Sequence, residues 1–220
     1  MKPPGTKSVS QLSSAQVDEA VSVLCESFQD YPVMQYVLGS AGDYHRRLRA
    51  LVGLFVNARA YRDEPLLGVH DQAGTLAGVA VVTLPGQREA PEALARLRER
   101  VWTQLGAGER LRYEGYGAAC APLITTSPHY HLNMIGVRRL HAGRGFARSL
   151  LATVHQMSDE DRDSSGVSLT TETVQNLPFY DHFGYRRVGH ALVADGLETW
   201  SFFRPASGDT LPLRKQGTHG

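Results

Sequence analysis

The sequence has almost no cysteine, no long apolar run and no excess of charge of either sign, and each absence closes off a class of protein. Two cysteines in 220 residues, Cys25 and Cys120, form no CxxC pair and no Cys/His spacing for a metal, so neither a disulfide scaffold nor a metal site is expected. Both sit in apolar, helix-like surroundings and read as buried thiols of a reducing compartment. No apolar stretch approaches the roughly 18 residues of a membrane-spanning helix, and residues 1–10 contain no hydrophobic run of the secretory kind. The expectation is a cytoplasmic protein without a membrane partner. Lys and Arg number 23 against 22 acidic residues, a formal net charge of +1, which is too even to draw nucleic acid by bulk charge. No basic stripe with interleaved aromatics is present either. An anion would have to be held by a local device.

What is present suits a globular fold: 42% hydrophobic and 20% charged residues over 220 positions are enough for one domain with its own core. That domain is expected to span residues 1–205, with 206–220 as a loose polar tail. A short strand over 9–12 precedes an S-x-x-Q capping box, Ser13 and Gln16, and a helix whose buried face is Val17, Ala20, Val21 and Leu24. Asp30-Tyr31-Pro32 breaks the pattern, and a second helical stretch presents Leu48, Leu51, Val52 and Phe55 on one side. Strands over 66–69 and 76–84 flank the turn residues 71–74. Residues 86–128 read as a helical insertion, with helices over 90–105 and 108–121. A strand over 131–137, a helix over 145–157, a strand over 167–172 and a short helix over 177–183 follow. A hairpin over 185–193 and 197–203, turning at Asp195-Gly196, closes the pattern. Strands alternating with crossover helices imply an α/β (α+β) architecture with a mixed central sheet of six to seven strands.

The segment from Ile135-Gly136-Val137 through Ala142-Gly143-Arg144-Gly145-Phe146-Ala147 runs from a strand through a glycine-rich turn straight into a helix. The first amides of a helix have no intrahelical acceptor, and the helix dipole adds positive potential at the same end, so such a junction suits a pyrophosphate. Gly143 and Gly145 allow close approach and unusual dihedrals, and the small Ala147 serves the same end. A tight turn with no ligand fits these residues equally well by themselves. They form neither a Walker loop nor GxGxxG.

Taken with Leu150-Leu151, however, the turn resembles the acyl-CoA motif [Q/R]-x-x-G-x-[G/A] of the GNAT N-acyltransferase superfamily, with Ala142 where Gln or Arg is usual. That departure removes a side chain but no main-chain donor. About thirty residues on, Asn176-Leu177-Pro178-Phe179-Tyr180-Asp181-His182-Phe183-Gly184-Tyr185 resembles the superfamily's second element. Thr170-Thr171-Glu172 and His129-Tyr130-His131-Leu132 resemble small-molecule acetyltransferases related to puromycin N-acetyltransferase. The resemblance covers residues 130–203 and reaches the first half only loosely.

It implies a GNAT fold with splayed fourth and fifth strands, and acetyl-CoA as acyl donor clamped by residues 142–147. It also implies pantetheine lying along the strand at Ile135, Gly136 and Val137, where a bulge amide near Ile135 or Gly136 holds the oxyanion. Tyr180 stands at the place of the general acid. Asn176 would bond the pantetheine or cap the following helix. The base is His131 or Glu172, directly or through water. Tyr31, Tyr36, Tyr113 and Tyr116 are candidate walls of an acceptor pocket, or simple packing. The implied reaction is acetylation of a primary amine on a small molecule by direct attack in a ternary complex. A protein N-terminus or lysine as acceptor, and an acyl-CoA-binding module without turnover, remain open. So do a monomer and a homodimer joined through the insertion.

Overall fold

Leu66–His70 and Leu76–Thr83 are nearly continuous runs of buried Leu, Val and Ala, as expected of strands covered on both faces. The computed structural model, which describes residues 7–40, 42–86, 89–194 and 196–207, places them inside a seven-stranded sheet. Its strands are β1 (Val9–Gln11), β2 (Leu66–His70), β3 (Leu76–Thr83), β4 (Tyr130–Val137), β5 (Gly166–Thr171), β6 (Arg186–Ala194) and β7 (Leu197–Pro205). They run in the order β1-β2-β3-β4-β5-β7-β6. Every pairing is antiparallel except β4 with β5.

The helices are α1 (Val17–Phe28), α2 (Pro32–Leu38), α3 (Tyr44–Ala60), α4 (Glu92–Leu105), α5 (Ala107–Cys120), α6 (Phe146–Glu160) and α7 (Leu177–His182). One core joins α1 to α4 with side chains of one sheet face, among them Leu24, Leu51, Val79 and Met134. The other joins α6 and α7 to the opposite face through Leu150, Val154, Val167 and Phe202. No helix among the described residues is long and apolar enough to cross a membrane.

Most elements fall where the hydrophobic period puts them. Pro32 is one difference: instead of only ending a helix it starts α2 near its first position, where a missing N–H costs nothing. The insertion is two helices joined at Gly106, whose φ of 113° suits a residue without a side chain. Asp195 of the expected hairpin turn, and residues 208–220 of the expected tail, lie outside the described residues.

Two irregularities of β4 shape everything that follows. Its register against β3 steps from Val81↔Met134 to Val82↔Leu132, which leaves Asn133 as an extra residue, a β-bulge. Tyr130 and Leu132 therefore pack on the α6 side, but beyond the bulge it is Ile135 and Val137 that do so, while Met134 turns to the α1–α3 side. The bulge lies at Asn133 instead of at Ile135 or Gly136, and side-chain alternation shifts by one residue beyond it. Against β5, β4 pairs only at Tyr130↔Val167 and His131↔Ser168. The two parallel strands then diverge, as the expected splay requires, and every second β4 amide past that point faces a gap with no strand in it.

Candidate active site

The chain leaves β4 at Val137, makes a 3₁₀ turn over Arg139–His141 and enters α6 at Phe146. Gly143 and Gly145 have φ of 72° and 82°, a region costly for any residue with a Cβ. A Cβ at either would meet no protein atom within 4 Å, so the glycines leave open space outside the loop. The amides of Ala142 and Arg144 are taken up by Arg139 O at 3.1 Å and His141 O at 3.3 Å. Those of Gly143, Gly145, Phe146 and Ala147 have no acceptor among the described residues, so the anion-binding capacity expected of 142–147 rests on these four.

The loop is tied down by contacts that span more than a hundred residues. Glu26 of α1 binds Arg138 Nη1 at 3.0 Å and accepts from the Arg139 amide at 2.8 Å, and Asp30 binds Arg139 at 2.6 Å. His141 is buried against the Phe146 ring, with centroids 5.1 Å apart. None of these anchors has a local sequence signal.

Gly136 is explained by packing. A Cβ there would lie 2.6 Å from Ser27 Oγ and 3.1 Å from Leu24 Cδ2, so only glycine lets α1 sit this close to β4. Ser27 completes the contact by donating to Val137 O at 3.0 Å. Ile135 is half-buried on the α6 side and lines a cavity.

That cavity, of about 390 Å³, lies between the diverging strands and a wall built by α1, α2, α3 and α5. Phe28, Val37, Leu51 and Phe55 make most of it apolar, and of the four candidate tyrosines Tyr31, Tyr113 and Tyr116 line it. Tyr36 does not, and packs against the α1–α4 core. Among the described residues Glu172 is the only carboxylate in the lining.

Glu172 follows the end of β5 and is 8% exposed. Its Oε1 accepts from Tyr116 Oη and from Thr199 Oγ1, both at 2.8 Å, and its amide donates to Tyr31 Oη at 3.2 Å. Burial raises the proton affinity of the carboxyl above the usual carboxylate range, against the opposing pull of the Thr199, Tyr116 and Tyr31 hydroxyls. Tyr116 comes from the insertion, so α5 contributes directly to the setting of this carboxyl.

Tyr180 lines the same cavity from α7, wedged among Phe179, Tyr185 and Phe202 at centroid distances of 5.4, 5.8 and 5.7 Å. Its hydroxyl has no hydrogen bond among the described residues. Burial first, then the neighbouring Tyr31 and Glu172, holds the phenol protonated well above its ordinary range. Asn176 does not cap α7 with its side chain; Nδ2 donates instead to Thr171 Oγ1 at 3.1 Å, beside Tyr31 Oη at 2.9 Å from the same oxygen.

His131 also lines the cavity, but where β4 and β5 are still paired. Its Nδ1 is 2.7 Å from Ser168 Oγ. Burial, helped by His129 and Arg59, pushes its pKa down to about 4. Glu172, Tyr180, Tyr116 and Asn176 thus gather where the strands have opened, with His131 at the closed end.

Residues 103–201, which hold the loop, Glu172 and Tyr180, match the family model of the acetyltransferase (GNAT) domain. The fold recurs in a Corynebacterium glutamicum protein described as histone acetyltransferase HPA2 and related acetyltransferase (18% identity, TM-score 0.73, covering 94% of this chain and 99% of that one). It recurs in arylalkylamine N-acetyltransferase 2 from Aedes aegypti (16%, TM-score 0.57, 89% and 96%) and in Naa20 from Chaetomium thermophilum in complex with a bisubstrate analogue (15%, TM-score 0.52, 90% and 86%). The mixed sheet with parallel, diverging β4 and β5 is the GNAT fold, and the match of residues 103–201 to the GNAT acetyltransferase domain indicates an acetyl-CoA-dependent acetyltransferase.

Proposed function

We propose that the chain acetylates a primary amine on a small molecule, by direct attack of the amine on acetyl-CoA in a ternary complex. One observation carries this reading: a buried carboxyl and a protonated phenol face one largely apolar, aromatic cavity at the mouth of the strand splay. An extended protein acceptor calls for an open, polar groove, and this lining offers a single carboxylate and a wall of helices.

Acetyl-CoA supplies the activated thioester. The free amides of Gly143, Gly145, Phe146 and Ala147 suit its pyrophosphate, with Ala142 and Arg144 holding the shape of the turn. The unpaired edge of β4 at Ile135, Gly136 and Val137 suits the pantetheine amides as an added strand, and Asn176 borders the same space. For the base we favour Glu172. A carboxyl whose proton affinity is raised by burial is better matched to removing a proton from an ammonium than an ordinary carboxylate, whereas an imidazole with a pKa pushed down to about 4 is a weak acceptor. Glu172 takes the proton of the incoming amine and a β4 amide facing the gap stabilises the oxyanion. As the C–S bond breaks, Tyr180 donates its proton to the departing sulfur. His131 then shapes the closed end of the cavity.

The resemblance of 170–172 and 129–132 to puromycin N-acetyltransferase-like enzymes supports a small-molecule acceptor. We assign the catalytic unit to residues 1–205, with 86–128 as an insertion that builds the acceptor wall, working in a reducing cytoplasm where Cys25 and Cys120 stay thiols. The test is a panel of small amines and of peptides with free N-termini, each with acetyl-CoA, reading release of the CoA thiol. Apolar small amines should give the higher kcat/KM; a consistent preference for peptides would overturn the reading.

A further inference from the structure

The closed end of the cavity contains a cation that the chemistry above does not use. Arg59, at the end of α3, is the one Lys or Arg in the lining among the described residues. Its Nη1 donates to Thr83 Oγ1 and lies 3.1 Å from Glu64 Oε2. A guanidinium has five N–H donors arranged as a fork, and here both acceptors sit on Nη1. Nε and Nη2 have no acceptor among the described residues.

A guanidinium kept only to neutralise Glu64 would turn its fork to both carboxylate oxygens. Instead no hydrogen bond of good geometry joins the two, and Glu64 Oε2 is left without one although its side chain is 2% exposed. Burial lowers the proton affinity of Arg59 in spite of Glu64, as befits a cation short of acceptors. Beside it Tyr113, stacked on Phe55 at 5.6 Å and tilted against Trp102 at 5.1 Å, carries a hydroxyl with no hydrogen bond among the described residues. Two sets of unused donors thus meet at one wall of an aromatic cavity.

The sheet register gives the span. Thr83, which holds Arg59, pairs with His131, and His131 pairs with Ser168. Glu172 lies four residues further along the chain, roughly 13 Å at the rise of a strand. A ring or short chain fits between two functional groups on the order of 10 Å apart; glycine or ethanolamine would not reach both.

Resting on the amine-acetylation reading above, we infer that Arg59 and Tyr113 form a distal subsite for an oxygen acceptor, a carbonyl or carboxylate. The acceptor class is then a primary amine with an apolar, ring-containing body and a terminal carboxamide or carboxylate. Arg59 and Tyr113 set specificity; they do not take part in bond making.

The test uses the full chain and four 2-phenylethylamines carrying hydrogen, methyl, carboxamide or carboxylate at the para position. KM and kcat come from thiol release, and acceptor Kd from calorimetry with and without CoA. The two oxygen-bearing amines should show KM or Kd at least about 10-fold lower than the other two, the scale of one or two unmatched polar groups. That preference should vanish in Arg59→Met/Glu64→Leu, which removes the buried carboxylate together with its partner and so avoids an unpaired charge. It should shrink several-fold in Tyr113→Phe, which keeps the ring stack if the double variant fails to fold. Equal constants for all four amines in the wild type, or a preference that survives both variants, would overturn the distal subsite and leave the acetylation reading standing. Preferential binding with no turnover would support the subsite and defeat that reading for these amines.

Discussion

Glu172 carries two consequences of a single burial, one for chemistry and one for stability. Its folded pKa is raised, so the unfolded chain gives up this proton first as pH rises. The group's favourable contribution is whole below the ordinary carboxylate range and is lost as pH climbs through the raised folded value. Glu172→Gln, which keeps an acceptor for Tyr116 and Thr199, should therefore melt higher than wild type at pH 8, and the two should converge near pH 4. Each kcal/mol of relief corresponds to roughly 2–4 °C in a chain of this size. The same variant should lose about 10²-fold or more in kcat, the usual scale of a general base, measured by thiol release. A variant that is neither more stable at pH 8 nor slower would return Glu172 to ordinary packing. For Tyr180, Tyr180→Phe keeps the contacts with Phe179, Tyr185 and Phe202 and removes only the hydroxyl. Its kcat should fall about 10²-fold or more while calorimetric affinity for CoA changes less than about threefold. An unaltered rate would mean that the ring, not the phenol, is what the site needs.

At the scale of elements, the strand-to-helix loop and the bulged β4 do work that no single side chain does. Gly143 and Gly145 combine a left-handed backbone with empty space beyond the missing Cβ. Gly143→Val or Gly145→Val would cost about 1–2 kcal/mol in backbone strain and put a branched side chain where, in the proposed binding mode, a phosphate approaches four free amides. CoA affinity should drop at least about 10-fold by calorimetry while the protein stays folded by circular dichroism; undiminished affinity would remove the loop from the binding site. The register step at Asn133 shows why strand alternation fails as a guide to this site. One extra residue reverses the facing of every side chain after it, so parity counted from His131 misplaces Met134, Ile135 and Val137.

For the whole molecule, two half-buried imidazoles should contribute to the response to mild acid. His131, against Ser168, and His155, 3.0 Å from Tyr185 Oη, both have pKa values pushed down to about 4, chiefly by burial. The unfolded chain takes up these protons near pH 6.5, so stability is full above that value and declines as pH falls towards about 4. Denaturant unfolding at pH 7.5, 6, 5 and 4.5 should show the decline, and His155→Phe or His131→Asn should each flatten it. A profile unchanged in both variants would place the acid-sensitive groups elsewhere.

Much of this was legible in local sequence. The capping box at Ser13 and Gln16, the apolar faces of α1 and α3, the β2–β3 turn and the two glycines before α6 all act through neighbours within a few residues, where periodicity and backbone preference decide the outcome. The pair of motifs at 142–147 and 176–185 likewise singled out the loop, Tyr180 and Asn176 as candidates. What the sequence did not reveal lies in contacts between distant residues: Glu26 and Asp30 holding the strand-to-helix loop, Ser27 demanding Gly136, the bulge at Asn133, and Arg59 brought beside Thr83.

The sequence by itself determined the elements, their order and the dihedral freedom of the loop, because those depend on each residue and its near neighbours. Only the tertiary structure separates the surroundings of Glu172 and His131, on which the proposal of Glu172 as base rests, because proton affinity depends on burial and on which hydroxyls or cations are near. It alone placed Tyr31, Tyr113 and Tyr116 around the cavity and left Tyr36 outside, since a helix face acquires a partner only when the sheet beneath it has closed.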